Sequence, residues 1–191
     1  MALQLVTAPT VEPVTVSDAK DHLRIDHDED DVLIEALITA AREWAEKYQN
    51  RAYLTQTWDL FFDDYPAEPF SLPKPPLQSV SSIKYYDTDE TETEFSSDYY
   101  QVDTASFKGR IALDYGQEWP TTTLRSMNGL VVRFIAGYGD DASDVPEAVK
   151  TAIKMIVAEL YENREVSDIR THFEVPFAVK SLLGLERIWP L

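Results

Sequence analysis

Val145-Pro146-Glu147-Ala148-Val149-Lys150-Thr151-Ala152-Ile153-Lys154-Met155-Ile156-Val157-Ala158-Glu159-Leu160-Tyr161 decides how the chain is read. Its apolar residues fall at Val149, Ala152, Ile153, Ile156, Val157, Leu160 and Tyr161. This is the i, i+3, i+4, i+7 template of one helix face. Pro146 suits the first turn, because the N–H it lacks is one that a helix start leaves unbonded. Just upstream, Gly137-Tyr138-Gly139-Asp140 breaks regular structure. Before that break, Gly129–Ala136 is rich in β-branched residues and reads as a strand. A β region therefore ends here and a helical region begins.

The same change of character occurs in reverse near residue 50. Ser17 reads as a helix N-cap, opening a short helix over Ser17–Arg24 with Ala19, His22 and Leu23 as its packing face. The acidic cluster Asp26-His27-Asp28-Glu29-Asp30-Asp31 suits the positive end of the next helix. That helix spans about Asp30–Gln49, with Leu33, Leu37, Ala40, Ala41, Trp44 and Tyr48 on its stripe and Ile34, Ile38 and Ala45 widening it. Asn50 closes it. Residues 1–16 read as an extended lead-in.

Between the helical ends the sequence is β-rich. Strands are expected at Tyr53–Asp64, Val80–Tyr86, Thr91–Phe95, Tyr99–Val102 and Arg110–Leu113, with Lys108-Gly109 as a turn. Phe70-Ser71-Leu72-Pro73-Lys74-Pro75-Pro76-Leu77 reads as an extended connector, because proline fixes φ and lacks a donor. Arg164–Phe173 is polar, and Pro176–Leu183 is expected to form a short last helix.

The expected fold is α+β in a single domain over 1–191. Helices at 1–50 and 146–183 form one helical core, a β-rich insert occupies 51–137 as a small sheet beside it, and 184–191 is a tail.

The net charge is −17, from 34 acidic and 17 basic residues. Nucleic acid and anionic membranes are themselves negative, so this balance disfavours binding either one through its surface charge. The absence of cysteine excludes disulfides and thiolate metal sites. No basic-then-apolar leader and no membrane-length apolar run is present, so the chain is expected to be soluble and intracellular when made.

Catalytic patterns are weak. The histidines are His22, His27 and His172. Phosphate-binding glycine loops and a Gly-x-Ser-x-Gly elbow are absent. Asp26-x-Asp28-x-Asp30 begins like a calcium loop, but its sixth position is Asp31 and its twelfth is Leu37. Asp87-x-Asp89-x-Thr91 also lacks the glycine, having Glu92 there. His22, His27 and Asp26 match no common metal spacing, and His22 is expected to pack half-exposed under Trp44. No catalytic, cofactor-binding or metal residues are expected.

Four stretches together resemble the head–tail connector (adaptor, or head-completion) proteins of long-tailed bacteriophages and gene transfer particles. They are Val16-Ser17-Asp18-Ala19-Lys20-Asp21-His22-Leu23-Arg24-Ile25-Asp26 with Ala40-Ala41-Arg42-Glu43, and Gln56-Thr57-Trp58. Leu72-Pro73-Lys74-Pro75-Pro76-Leu77-Gln78-Ser79-Val80 is the third. Gly137-Tyr138-Gly139, Val145-Pro146-Glu147-Ala148-Val149-Lys150 and Tyr161-Glu162-Asn163-Arg164 make the fourth. The resemblance runs from about residue 14 to 183. It implies a helical core with a β insert, no enzymatic activity and no cofactor. It implies a homo-oligomeric ring of about twelve copies in the virion, at the head–tail interface, assembled in the host cytoplasm. The implied partners are the portal protein and a tail-side stopper or tail terminator, with DNA passing through without sequence-specific binding and no membrane contact. In that setting the acidity acquires a use, since a like-charged channel wall avoids tight phosphate contacts. Asp87, Asp89, Glu90 and Glu92 are the candidate channel-facing acids. Phe173, Phe177, Ile188, Trp189 and Leu191 are the candidate portal contacts, with capping of the protein's own core as the other reading of Phe177 and Trp189. Two further classes stay open on residues alone: a small acidic hydrolase using a carboxylate pair, and a monomeric ligand-binding module.

Overall fold

The computed structural model describes residues 1–163 and 176–188. They divide into two compact units, one from Met1–Pro9 with Thr55–Tyr138, the other from Thr10–Leu54 with Gly139–Leu191. We call them the β unit and the helical unit. The expected mixture of helices and antiparallel strands is observed.

The helical unit holds α1 (Val16–Leu23), α2 (Asp31–Gln49), α3 (Glu147–Glu162) and α4 (Phe177–Gly184). The segments from the two halves of the sequence pack together: α2 lies against α3, and α4 against α3 and α2. The reading of α3 holds at Val149, Ala152, Ile153, Ile156 and Val157, all buried. That of α2 holds mainly at the residues that widen its stripe. Its buried line is Ile34, Ile38, Ala41 and Ala45, continued by the polar residues Arg42, Glu46 and Gln49. Leu33, Leu37, Trp44 and Tyr48 are half-buried and Ala40 is exposed. A hydrophobicity pattern cannot count Arg42, Glu46 and Gln49 toward a core, so it rotates the face away from them.

The helix ends are set by short-range chemistry. Thr15, not Ser17, caps α1: its Oγ1 accepts from Asp18 N at 3.1 Å, and Asp18 Oδ2 accepts from Thr15 N at 3.2 Å. This reciprocal capping box satisfies donors that the first turn leaves unbonded. Asn50 closes α2 in the left-handed region, φ 56°, which Asn tolerates better than most residues. His22 is exposed rather than packed under Trp44, and Trp44 stacks on Tyr48 with ring centroids 5.1 Å apart.

In the β unit the lead-in proves to contain a strand. The strands are β1 (Ala2–Thr7), β2 (Gln56–Phe62), β3 (Phe70–Ser71), β4 (Leu77–Tyr86), β5 (Glu92–Phe95), β6 (Tyr100–Asp103), β7 (Arg110–Leu113) and β8 (Leu130–Ala136). They form two antiparallel sheets, ordered β1-β2-β8-β4-β5 and β3-β7-β6, where one small sheet was expected. β8 sits at the centre of the larger sheet. Leu130, Val132, Phe134 and Ala136 alternate inward along it, with Arg133 exposed between them, the period-2 signature of a strand with one covered face. Tyr53 and Leu54, expected to open β2, are instead buried in the helical unit.

Aromatic side chains fill the rest of the β unit. Trp119 lies 5.4 Å from Tyr65 and 5.1 Å from Phe95, and Phe62 meets Phe70 edge-on at 5.5 Å. Trp119 Nε1 donates to Pro66 O at 3.1 Å, so its polar edge is satisfied as burial requires. Gly109 is required by proximity, because a Cβ there would sit 2.3 Å from the Leu77 side chain.

Candidate functional site

Two surfaces carry the residues of interest: the β4–β5 hairpin and the C-terminal helix. The hairpin turns through Asp87–Thr91. Asp87 accepts at Oδ1 from the backbone N–H groups of Asp89 and Thr91, both at 2.9 Å, an Asx-type turn. Glu90 takes φ 63°. The four acids therefore have different work. Asp87 builds the turn. Glu92 accepts from Lys84 Nζ and from the Tyr86 hydroxyl, each at 2.5 Å. The Lys84 hydrogen bond, then that of Tyr86, holds its carboxyl below the usual range. The same contact raises the Lys84 ammonium. Across the Tyr86 ring lies the Arg125 guanidinium, 4.1 Å from its centroid. Asp89 and Glu90 stand exposed at the tip, and they carry the negative charge there.

At the other surface, Val179 and Leu183 bury one side of α4, each worth about 1.5–3 kcal/mol. The chain beyond is stitched to the end of α2. Gln49 Nε2 donates to Leu183 O at 2.6 Å, Asn50 Nδ2 to Ile188 O at 2.7 Å, and Ile188 N to Gln49 O at 3.0 Å. Arg187 covers the Tyr48 ring, 4.4 Å from its centroid. So residues 184–188, the described part of the expected tail, are held against the helical unit. The anchored helix leaves Phe177 84% exposed and Leu185 90% exposed.

Among the described residues, no group of three or more His, Asp or Glu side chains could hold a metal ion, and no helix is long and apolar enough to cross a membrane. Asp28 and Asp31, in and beside the calcium-like pattern, accept instead from Lys20 Nζ at 2.5 and 2.8 Å.

The model of the phage gp6-like head-tail connector protein family matches residues 13–115, more than half of the chain. The chain belongs to that family. It is a structural component of the junction between head and tail. The fold is shared with solved particle structures. A chain in the neck of an empty GTA particle computed with C6 symmetry superposes with TM-score 0.82 at 21% identity, covering 100% of this chain and 97% of that one. One in the virion of a native gene transfer agent particle gives 0.81 at 23%, with coverage of 100% and 97%. One in the neck of a native particle computed with C12 symmetry gives 0.79 at 23%, with the same coverage. No curated protein matches the chain.

For a head–tail connector, the placement of the sequence candidates is informative. Asp87, Asp89, Glu90 and Glu92 come together on one hairpin. Of the C-terminal candidates, Phe177 projects outward and Ile188 is buried. Phe173, Trp189 and Leu191, like His172, lie outside the described residues. Leu185 escaped the sequence reading. Its signal was its position just past Gly184, where a leucine is released from the helix's apolar stripe.

Proposed function

We propose that this connector assembles into a ring between a portal and the tail-side stopper or tail terminator, with a central channel for DNA. It acts by position, without catalysis or a cofactor. The observation that carries the reading is the family match, which extends from α1 through β7. The likeness to neck chains described with six-fold and twelve-fold symmetry supports it. A polar ring of identical copies needs a heterologous interface, in which two different patches of the chain meet.

The hairpin acids are the channel wall in this reading. Asp89 and Glu90 supply the field that keeps phosphates from binding, while Asp87 and Glu92 hold the hairpin in shape. Phe177 is the portal contact, together with the sequence candidates Phe173, Trp189 and Leu191. Ile188 serves as the buried base of that segment. An exposed aromatic on the first turn of an anchored helix is the kind of side chain that fills a partner's pocket at the centre of an interface.

Mass photometry and negative-stain imaging, on the protein alone and with a portal, test the assignment. Rings, alone or seated on the portal, are expected. A protein that stays strictly monomeric and ignores the portal would refute it. Phe177→Ser should weaken portal binding while leaving the melting temperature unchanged.

A further inference from the structure

The five-stranded sheet ends in two unlike edges, β1 and β5. An open edge is a template for another strand, and proteins ordinarily blunt it with charge, proline or a very short strand. β5 is guarded: Glu92 and Glu94 lie along it, and it is exposed from Glu92 to Glu94. β1 is not. From Met1 to Val11 there is no Asp, Glu, Lys or Arg, in a chain of net charge −17. Leu5 and Val6 of this strand are 42% and 44% exposed. Its register with β2 is regular from Ala2 to Leu5 and shifts before Thr7. The regular run matches β5, at four residues, in length.

We infer that the β1 edge is where a second copy docks, the β5 edge of that copy continuing the sheet across the subunit boundary. This rests on the ring reading above. Copies of so acidic a chain repel one another, and they approach most easily where one side of the contact carries no charge. Symmetry then selects the strand. Pairing β1 with β1 is two-fold and closes a dimer, which cannot repeat around a polar ring. Pairing β5 with β5 is also two-fold, and sets Glu92 and Glu94 against like charges, which destabilises cross-strand pairs. Pairing β1 with β5 is heterologous, repeats, and opposes no like charges. Main-chain hydrogen bonds supply the attraction, as in strand addition to a sheet edge.

The absence of cysteine gives a clean test. The full chain is made with Leu5→Cys and Glu94→Cys, and the offset pair Gln4→Cys and Thr93→Cys covers the other side-chain parity. Each is assembled with the portal, imaged, oxidised and run on a non-reducing gel. β2, β8 and β4 lie between the two edges, so any bond formed joins two copies. The expected result is rings together with a ladder of covalent species beyond the dimer, each single variant stopping at the dimer or below. Rings without a ladder would overturn the edge assignment and leave the ring standing. A ladder obtained only when Gln101→Cys of β6 replaces the β5 cysteine would also overturn it. Failure to form rings on the portal, with no ladder, would overturn both.

Discussion

The helical unit and the β unit use charge in opposite ways. In the helical unit a chain of polar contacts runs through the core. Arg42 donates from Nε to Glu12 Oε2 at 2.7 Å and from Nη1 to Glu46 Oε2 at 2.9 Å. Glu46 Oε1 accepts from Tyr53 N at 2.8 Å, the Tyr53 hydroxyl donates to Gln49 at 2.7 Å, and Gln49 reaches α4. One network thus ties the segment before α1, the length of α2 and the C-terminal helix together. In the β unit most acids stay near the surface, where several hold turns, and the buried one, Asp59, pairs with a half-exposed arginine. Asp103 accepts from Ser106 Oγ at 2.5 Å and Arg110 Nε at 2.8 Å, closing the β6–β7 connection. Buried charge specifies which segments meet. Surface charge shapes local turns and leaves a field outside.

The sharpest way to break this contrast is Arg42→Met. Burial opposes the guanidinium's charge, but Glu12 and Glu46 outweigh it and hold its pKa above the ordinary value. Removing the cation takes from Glu46, 9% exposed, its ion pair with Arg42. Breaking such a pair from one side costs about 3–5 kcal/mol, to be read by denaturant unfolding. Adding Glu46→Gln and Glu12→Gln should recover much of that loss, because the two carboxylates that faced Arg42 are then neutral as well. A loss under about 1 kcal/mol, the range of an exposed pair, would erase the distinction.

The matched substitution in the β unit is Asp59→Asn. Asp59 and Arg133 face each other across β2 and β8 in register, with bidentate bonds of 2.8 and 2.7 Å. Asp59 is 10% exposed but Arg133 is 47% exposed, so solvent screens the pair and the arginine can turn to water. We expect a loss of about 1–2 kcal/mol, well below that of Arg42→Met by the same measurement.

How far the sequence could be read follows the same divide. Where apolar spacing alone fixes an element, as in α3 or β8, the expectation and the structure agree closely. The reading slipped where polar groups enter the core, as with Arg42, Glu46 and Gln49 on α2. It slipped again where a strand is specified by its partner: Ala2–Thr7 has no turn signal or alternation of its own, and β2 gives it its register. At the candidate site, the clustering of the hairpin acids was legible because a turn brings near neighbours together. The division of labour among them was not, since it depends on Lys84 and Tyr86 from the adjoining strand. Nor could the sequence separate Phe177 from Ile188, because anchoring by Gln49 and Asn50 joins residues far apart in the chain.

Acid unfolding sharpens the comparison further. Hydrogen bonds from Ser106, then Arg110, hold the Asp103 carboxyl well below its usual range, and the Thr15 side chain does the same more weakly for Asp18. A carboxyl whose folded pKa is depressed contributes stability above its unfolded value. That contribution is lost as the pH falls through the lower folded value. Both groups should therefore stabilise the chain fully at neutral pH and lose their effect below about pH 4. Asp103→Asn should flatten the acid limb of a melting-temperature profile and leave its slope above pH 6 unchanged. A parallel downward shift at every pH would mean that the turn depends on shape and not on the carboxylate's charge.

The smallest expected stability effect belongs to Asp89→Asn combined with Glu90→Gln. Neither side chain builds the turn, which Asp87 holds through the backbone N–H groups of Asp89 and Thr91. The loss should stay within about 0.5 kcal/mol, as for surface substitutions away from structural contacts. Asp87→Ala, which deletes the turn acceptor, should cost more. The functional readout should run the other way. If the tip faces DNA, neutralising it removes two like charges per copy around the channel, and particles carrying the double variant should release DNA more slowly at low salt. Raising the salt concentration should narrow the difference, because counterions screen exposed charges over roughly 10 Å at 0.1 M. A variant whose release matches the parent at every salt concentration would move these acids off the channel wall. Their remaining effect would then be on solubility alone.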